Sequence, residues 1–287
     1  MFPLSMCVLF SSALFVIFKL FSRYKIQTLY AIITNYFTAS FFATFFYNGT
    51  INYSALPAKP WFLGTLALGM LFIVVFNITA KTSQNLGVSV ASVAAKMSLV
   101  IPVVMGVLLY GETLGPLKII GIILALAAVY FASIKNRTIT VKVETLILPL
   151  LLFMGSGMVD AGIKFLQTTD MASSDFPLFS TVVFGAAGTT GIVFILIRSA
   201  RHPLKLNLKN FVAGIVLGSF NYFTIHFLLM ALENKALNSA SIFTIINVGT
   251  VLFSTLMGIL LFKEQLSMKN WAGLLLAVIS IVLVALF

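Results

Sequence analysis

Apolar residues in this chain form long runs, without the alternation of half-buried strands. A run of roughly 17–25 apolar residues crosses about 30 Å of hydrocarbon as a helix. Such runs recur from end to end and favour helices over barrel strands, so the predicted fold class is all-α. We expect the first run to be a retained helix, because no basic segment precedes it and no small-residue cleavage site follows. The pattern predicts ten transmembrane helices, at Phe2–Phe18, Leu29–Tyr47, Trp61–Ala80, Leu86–Tyr110, Leu117–Ile134, Leu146–Ile163, Leu178–Ile197, Phe211–Leu232, Ala240–Phe262 and Trp271–Phe287.

The second half of the sequence repeats the first. The run MGVLLYGE at 105–112 returns as MGILLFKE at 257–264, 152 residues later, and a weaker match further upstream has an offset of 149. Each half holds five predicted spans. Because five is odd, the second copy is expected to be inverted in the membrane, as in many secondary transporters. The predicted domains are a first five-helix repeat at 1–135, a connecting loop at 136–145 and a second five-helix repeat at 146–287.

Composition excludes several classes of protein. Apolar residues make up 60% of the chain and charged residues 9%, whereas soluble domains carry about 25% charged residues. The 28 Phe argue against disorder, and the single cysteine, Cys7, argues against a disulfide scaffold. Two histidines and one cysteine form no metal cluster, and no P-loop is present. We therefore expect no enzyme, metal or cofactor. We attribute the net charge of +11 to basic residues that orient the spans in the membrane and attract anionic lipids, and not to nucleic-acid binding.

Several segments resemble one transporter family. ASV at 91–93, IPV at 101–103 and LYGETL at 109–114 are similar to EamA-type members of the drug/metabolite transporter superfamily, and LFKEQL at 261–266 repeats the last of these. The resemblance implies ten helices in two repeats, a peripheral fifth helix in each, and a cargo among amino acids, sugars, nucleotide derivatives and drugs. Lys263, in place of the usual glycine, and Lys96 depart from the family pattern.

Three ionisable residues lie at membrane depth, where an unpaired charge costs about 2.5–3.5 kcal/mol or more. Lys96, near the middle of span four, either faces a cavity and binds cargo or forms a structural ion pair with Asp160 of span six. Asp160 also has Lys164 four residues further on as a local partner. His226 in span eight either bonds neighbouring helices or carries a proton. Asp160 and His226 are therefore the candidates for ion coupling.

Neutral polar residues at depth either join helices or line a pathway together with Lys96. Spans five and ten carry almost none, which favours a central pathway. The carboxylates of Glu112 and Glu264 are expected to be structural. Each lies in the turn before span five or ten, with Thr113 or Ser267 as a cap, where the N-terminal dipole of the following helix favours negative charge. The neutral pathway candidates are Asn35, Asn77, Asn221, Tyr222 and Asn247.

Together these features predict a secondary-active transporter in the cell membrane, working as an exporter or exchanger by alternating access. The expected cargo is a small polar or amphiphilic metabolite, anionic or zwitterionic, with a proton or another ion as the coupling partner. A monomer and a homodimer are both open. The alternative is a membrane-embedded binding or scaffold protein of the same fold that transports nothing. A channel is disfavoured, because no loop resembles a selectivity filter.

The distribution of basic residues predicts the orientation. With the N-terminus outside, thirteen Lys and Arg fall in cytoplasmic loops and four in external loops, and cytoplasmic loops carry the excess of these residues. Both termini are then outside, whereas the family resemblance implies both in the cytoplasm. A tag after Phe287 should therefore react with an impermeant probe on intact cells. Reactivity that requires permeabilisation would contradict this orientation.

Overall fold

The computed structural model describes residues 2–47, 53–110, 115–133, 143–169, 175–199, 207–232 and 239–286, and these form helices joined by short connections. The predicted all-α class is confirmed. A 3-10 helix, Tyr53–Ala58, lies between α2 and α3. The α-helices are α1 Phe2–Arg23, α2 Thr28–Phe45, α3 Phe62–Leu86, α4 Val88–Met97, α5 Val100–Tyr110, α6 Pro116–Ser133, α7 Val143–Thr169, α8 Phe176–Ser199, α9 Leu208–Leu232, α10 Ser239–Phe262 and α11 Met268–Leu286.

The helices have the length and apolarity of membrane spans. In the described part of the chain seven segments are long and apolar enough to cross a bilayer, one of them running through α4 into α5. Pro116–Ala132 and Met268–Val284 are shorter apolar helices. Large apolar side chains such as Leu63 and Leu260 are exposed, which suits a surface solvated by lipid. The prediction of a multi-pass membrane protein is confirmed, and the number of ten spans stays a prediction.

The chain divides into two compact units, each drawing on both halves of the sequence. The first unit contains Met1–Leu20, Ile78–Asp160 and Phe223–Phe287, and the second contains Phe21–Asn77 and Ala161–Tyr222. In the first unit α6 packs along α11, and α4 packs against α10. In the second unit α2 packs along α8. Each of these pairs joins helices at the same place in the two predicted repeats.

Glycines allow close helix contacts in the first unit. A Cβ added to Gly121 of α6 would lie 2.7 Å from Val284 Cγ2 of α11, and one added to Gly273 of α11 would lie 2.6 Å from the backbone nitrogen of Ala132 of α6. Gly273 follows Gly121 by 152 residues, and Val284 follows Ala132 by the same 152. The contact therefore occurs twice with its partners exchanged, as in an interface with two-fold symmetry.

The second unit shows the same reciprocity at the offset of 149. A Cβ on Gly69 of α3 would lie 2.9 Å from the backbone nitrogen of Ala187 in α8, and one on Gly218 of α9 would lie 2.6 Å from Thr38 Cβ in α2. Gly69 and Gly218 are 149 residues apart, as are Thr38 and Ala187. A two-fold axis between the halves would produce both sets of contacts. The inverted repeat itself stays a prediction.

The carboxylate of Glu264 bonds to a different helix end from the one that the sequence indicated. We expected its carboxylate at the start of the following helix, α11. Instead it accepts hydrogen bonds at the N-terminus of α4, from Val88 N at 2.7 Å and from Ser89 Oγ at 2.9 Å. The reason is that Ser267 already caps α11, its Oγ accepting from Asn270 N at 3.1 Å. This confirms the predicted Ser267 cap.

The contact of Glu264 with α4 depends on a glycine turn. Gly87, which immediately precedes α4, has φ of 115°, a conformation that glycine adopts without strain. A Cβ there would lie 2.8 Å from Glu264 Oε1. The equivalent residues Glu112 and Thr113 lie outside the described residues.

Glu264→Gln should lower the free energy of unfolding by about 1–3 kcal/mol, because hydrogen bonds to a charged acceptor and its interaction with the α4 dipole are weakened. Thermal unfolding of the purified protein in detergent measures this loss. Gln265→Ala, a change at the exposed neighbouring residue, is the matched control and should leave the midpoint unchanged. Equal midpoints for all three proteins would show that the carboxylate does not stabilise α4.

An ion pair joins two segments of the second unit. Lys59 Nζ lies 3.0 Å from Asp175 Oδ2, and Trp61 Nε1 donates to the same oxygen at 3.0 Å. The Trp61 side chain is fully buried. These contacts join the segment before α3 to the residue before α8. Hydrogen bonds from Trp61 and then Lys59 lower the pKa of Asp175 below its usual value.

The stability contributed by Asp175 should depend on pH. Because its folded pKa is depressed, its stabilisation is complete above the usual Asp pKa of about 3.9 and is lost as the pH falls through the lower folded value. Asp175→Asn should therefore lower the melting temperature at pH 6, by the equivalent of about 1–2 kcal/mol given the partial exposure of the pair. The difference from wild type should shrink at pH 3. A difference that stays constant over this range would contradict the assignment.

Candidate functional site

The predicted fourth span is broken near its middle. Helix α4 ends at Met97 and α5 begins at Val100. Pro102 has no N–H to donate to the carbonyl of Ser98, and its ring clashes with that carbonyl in a regular helix. The Ser98 carbonyl accepts instead from Ile101 N at 2.9 Å. The missing N–H and the ring of Pro102 thus account for the end of α4 at Met97 and the new start of α5 at Val100.

Lys96 lies in the last turn of α4, immediately before the break. Most residues of α4 are buried, yet the Lys96 side chain is only half-buried. Within the described part of the chain, its ammonium makes no hydrogen bond and has no carboxylate within 4 Å. Free carbonyls at a helix C-terminus favour a cation, but they satisfy only part of its donor capacity. The ammonium therefore keeps donors available for water or a ligand.

Asp160 of α7 is the anion within electrostatic reach of Lys96. Ser98 Oγ donates to Asp160 Oδ2 at 3.3 Å and to the carbonyl of Ala95 at 2.6 Å. A hydroxyl has one proton to donate, so the longer bond to Asp160 is the weaker of the two. Most of the acceptor capacity of the carboxylate is consequently unused by this contact. The alternative partner Lys164 has its side chain outside the described residues.

Asp160 lies on the face of α7 opposite the exposed apolar stripe of that helix. Ile147, Leu151, Met154 and Met158 form an exposed apolar stripe along the helix. At about 100° per residue, Asp160 lies about 200° around the helix from Met158. Asp160 is nevertheless classed with the exposed residues. Asp160 therefore keeps exposed surface on the side of α7 opposite this apolar stripe.

Gly157 allows α7 to pack closely against the start of α5. A Cβ on Gly157 would lie 2.5 Å from Ile101 Cβ, so a larger residue would separate the two helices. Gly157 is one turn before Asp160 on the same helix. This close approach brings the carboxylate to the helix break, and Gly157 is a positioning residue that the sequence reasoning missed.

The other polar candidates of the first unit are His226 and Asn247. The His226 ring contacts Phe227 and Phe223, with centroids 5.5 and 6.4 Å away. Two residues earlier on α9, the Thr224 carbonyl accepts from Cys7 Sγ at 3.4 Å. Asn247 is half-buried on α10. Cys7 is also within electrostatic reach of Lys96, which places the lone thiol near the break.

The remaining candidates belong to the second unit, and two of them bond to their own helix. Asn77 Nδ2 donates to the Ile73 carbonyl at 2.8 Å, and Asn35 Nδ2 donates to the Ile32 carbonyl at 3.4 Å. Such bonds are local side-chain contacts. Together with the close approach at Gly218, they support a packing role for Asn35.

Two buried amide atoms of the second unit have no hydrogen-bond partner among the described residues, namely Asn35 Oδ1 and Asn221 Nδ2. Tyr222 stacks on Phe42 and Phe46, with centroids 5.7 and 5.6 Å away. The structure thus divides the predicted site. Lys96, Asp160, His226 and Asn247 lie in the first unit, and Asn35, Asn77, Asn221 and Tyr222 in the second.

Ser98 is a second residue that the sequence reasoning missed. Its position four residues before Pro102 was visible in the sequence and marks the carbonyl that the proline leaves unbonded. Its contact with Asp160 required the packing of α7. Among the described residues, no three His, Cys, Asp or Glu side chains come together as metal ligands.

Comparisons with known proteins agree with the helical fold and the sequence resemblance. Residues 3–134 match the EamA-like transporter family. A relative in Haemophilus influenzae, named only as an uncharacterized protein, is 28% identical over 291 residues, covering 96% of this chain and 94% of its own. A protein crystal structure matches with a TM-score of 0.60 at 13% identity, covering 99% of this chain and 96% of that one. At this identity the structural match shows the fold alone.

Proposed function

We propose, on the premise that residues 3–134 match the EamA-like transporter family, that this chain is a secondary-active carrier of a small polar or amphiphilic metabolite. The chain is a multi-pass membrane protein, and the match supports membership of the drug/metabolite transporter superfamily. Its cargo would cross by alternating access, with the two sequence halves exchanging conformations around a site near the membrane midplane.

The observation that carries this proposal is the state of Lys96. A lysine kept at membrane depth for stability should have a carboxylate in direct contact, because a buried charge without a partner is costly. Lys96 has none within 4 Å in the described chain, and it lies beside an interrupted helix. Interrupted helices form substrate and ion sites in many transporters. This arrangement supports a binding site over a structural ion pair.

The reciprocal glycine contacts support alternating access. The pairs Gly121 with Gly273 and Gly69 with Gly218 place equivalent helices of the two halves in equivalent surroundings. Two halves with matching contacts can exchange conformations, so that the site opens first to one side and then to the other. Small residues at these contacts also let helices slide at little steric cost.

Within this carrier, Asp160 and His226 remain the candidates for binding a coupling proton. Asp160 is the stronger candidate for any role in the transport cycle, because it accepts a hydrogen bond from Ser98 at the helix break. The His226 ring lies against Phe223 and Phe227 of its own helix.

Purified protein in proteoliposomes should concentrate at least one metabolite from a cell extract, measured by mass spectrometry of the lumen with and without a pH gradient. Lys96→Met should reduce this uptake at least tenfold while the melting temperature changes little, because the lysine has no structural partner to lose. Lys81→Met, the same change at an exposed lysine of α3, is the matched control.

Two results would contradict this prediction. Absence of uptake by folded wild-type protein under both conditions and in both orientations would favour the scaffold alternative. A loss of stability of roughly 3–5 kcal/mol in Lys96→Met would instead identify Lys96 as a structural partner of Asp160.

A further inference from the structure

We infer that three basic side chains at one end of the second unit, those of Arg23, Lys25 and Lys209, bind the headgroup of an anionic phospholipid in the adjoining membrane leaflet. We call these three residues the basic patch. Arg23 ends α1, Lys25 lies in the turn that follows it, and Lys209 lies in the first turn of α9. The inference concerns a lipid partner and holds whether or not the chain transports a metabolite.

Two hydrogen bonds between the start of α2 and the start of α9 bring the patch together. The buried Asn210 side chain accepts from the Gln27 backbone N–H at 2.9 Å and donates to Gln27 Oε1 at 3.1 Å. Gln27 is two residues from Lys25, and Asn210 is next to Lys209. Residues far apart in sequence therefore present their charges at one place.

The basic patch lies where membrane spans meet the lipid headgroups. The candidate spans Phe2–Arg23 and Leu208–Leu228 end and begin here, and all three basic residues are exposed. Tyr24 and Leu208 are exposed beside them, at 65% and 75%. An aromatic ring at this level suits the membrane interface. Apolar side chains next to cations fit a phospholipid better than a soluble anion.

The positive charge of the patch is unbalanced. Segments 21–27 and 198–209 contain six of the basic residues of the chain and none of its seven acidic residues. Among the described residues, the three side chains form no hydrogen bond or ion pair. A basic residue close to an anionic membrane surface strengthens binding about fivefold. Three such residues together would contribute about a hundredfold.

The backbone also indicates that these side chains are kept for their charge. Lys25 has φ of 55° and occupies the position after α1 where glycine is usual, with Ile26 N donating to the Phe21 carbonyl at 2.9 Å and Lys25 N to the Ser22 carbonyl at 3.3 Å. Glycine would adopt this φ without strain. Lys209 is disfavoured by the N-terminal dipole of α9. A bound phosphate group would offset both costs.

The test measures the affinity of the purified full chain in detergent for its first bound lipid, by native mass spectrometry. The probes are phosphatidylglycerol and phosphatidylcholine with the same acyl chains, and inorganic phosphate is the competitor. Wild-type protein should bind phosphatidylglycerol at least tenfold more tightly than phosphatidylcholine. Millimolar phosphate should not displace the lipid, because the free ion has no acyl chains to contact Tyr24 and Leu208.

Lys25→Gly separates the charge from the backbone conformation. It should weaken phosphatidylglycerol binding about fivefold, while the melting temperature does not fall, because glycine fits the φ of 55°. Lys263→Gly is the matched control, since this exposed lysine has φ of 52° and lies in the first unit next to Glu264. It should retain the wild-type affinity. The triple variant Arg23→Gln, Lys25→Gly, Lys209→Gln should lose about a hundredfold.

The wild-type comparison decides the inference even if the triple variant fails to fold. Equal affinities for the two lipids would overturn it. Equal losses in Lys25→Gly and Lys263→Gly would also overturn it, because any surface lysine would then serve. Displacement of the lipid by inorganic phosphate would assign the basic patch to a soluble anion and contradict the lipid partner. None of these measurements involves transport, so failure of the proposed carrier function is detected separately.

Discussion

In hydrocarbon no water is present to bond a peptide group, so each backbone N–H and C=O must find a partner inside the protein. Continuous helices meet this constraint along most of the described chain, and α4 meets it only until Pro102 removes a donor. The Ser98 carbonyl then turns to Ile101, and the helix restarts at Val100. The Ser98 hydroxyl has one proton to donate, and both the Ala95 carbonyl and the Asp160 carboxylate lie within hydrogen-bond distance of its oxygen. An interruption required by proline is thus the place where α4 contacts the carboxylate of α7, two residues after Lys96.

The same constraint explains which parts of the molecule were predictable from sequence. Long apolar runs determine helices regardless of their neighbours, so the helical class and most spans followed directly. Charged residues at depth are few, which made Lys96 and Asp160 visible as candidates. The partner of Glu264 was not predictable, because Val88 and Ser89 are more than 170 residues away along the chain and the correct helix end depends on packing. The hydrogen bond of the Asn77 side chain was likewise not predictable, since its amide donates to the Ile73 carbonyl of its own helix.

Close helix packing requires small residues, and the sequence repeats place them in pairs. Gly121 and Gly273 let α6 and α11 approach until a methyl group would collide with the other helix. Ser280 Oγ then reaches the Gly121 carbonyl at 2.7 Å, a bond that wider packing would prevent. Equivalent helices of the two predicted repeats meet at this contact, so a substitution at either glycine would disturb the same interface. These reciprocal contacts are what a two-fold relation between the halves would produce.

The charges near the break and the break itself depend on each other. A continuous helix at this level would leave Ser98 bonded along its own axis, and Asp160 would lose its hydroxyl donor. A lysine at the same level of a continuous, fully packed helix would require a direct carboxylate partner. Without one, removing the ammonium from water would cost several kcal/mol of folding free energy. The interruption places Lys96 at a helix end, where free carbonyls favour its positive charge. Gly157 lets α7 approach α5 closely, and Asp160, one turn further along α7, accepts a hydrogen bond from Ser98. Opposite charges within one compact unit lower the free-energy cost of holding both in the membrane.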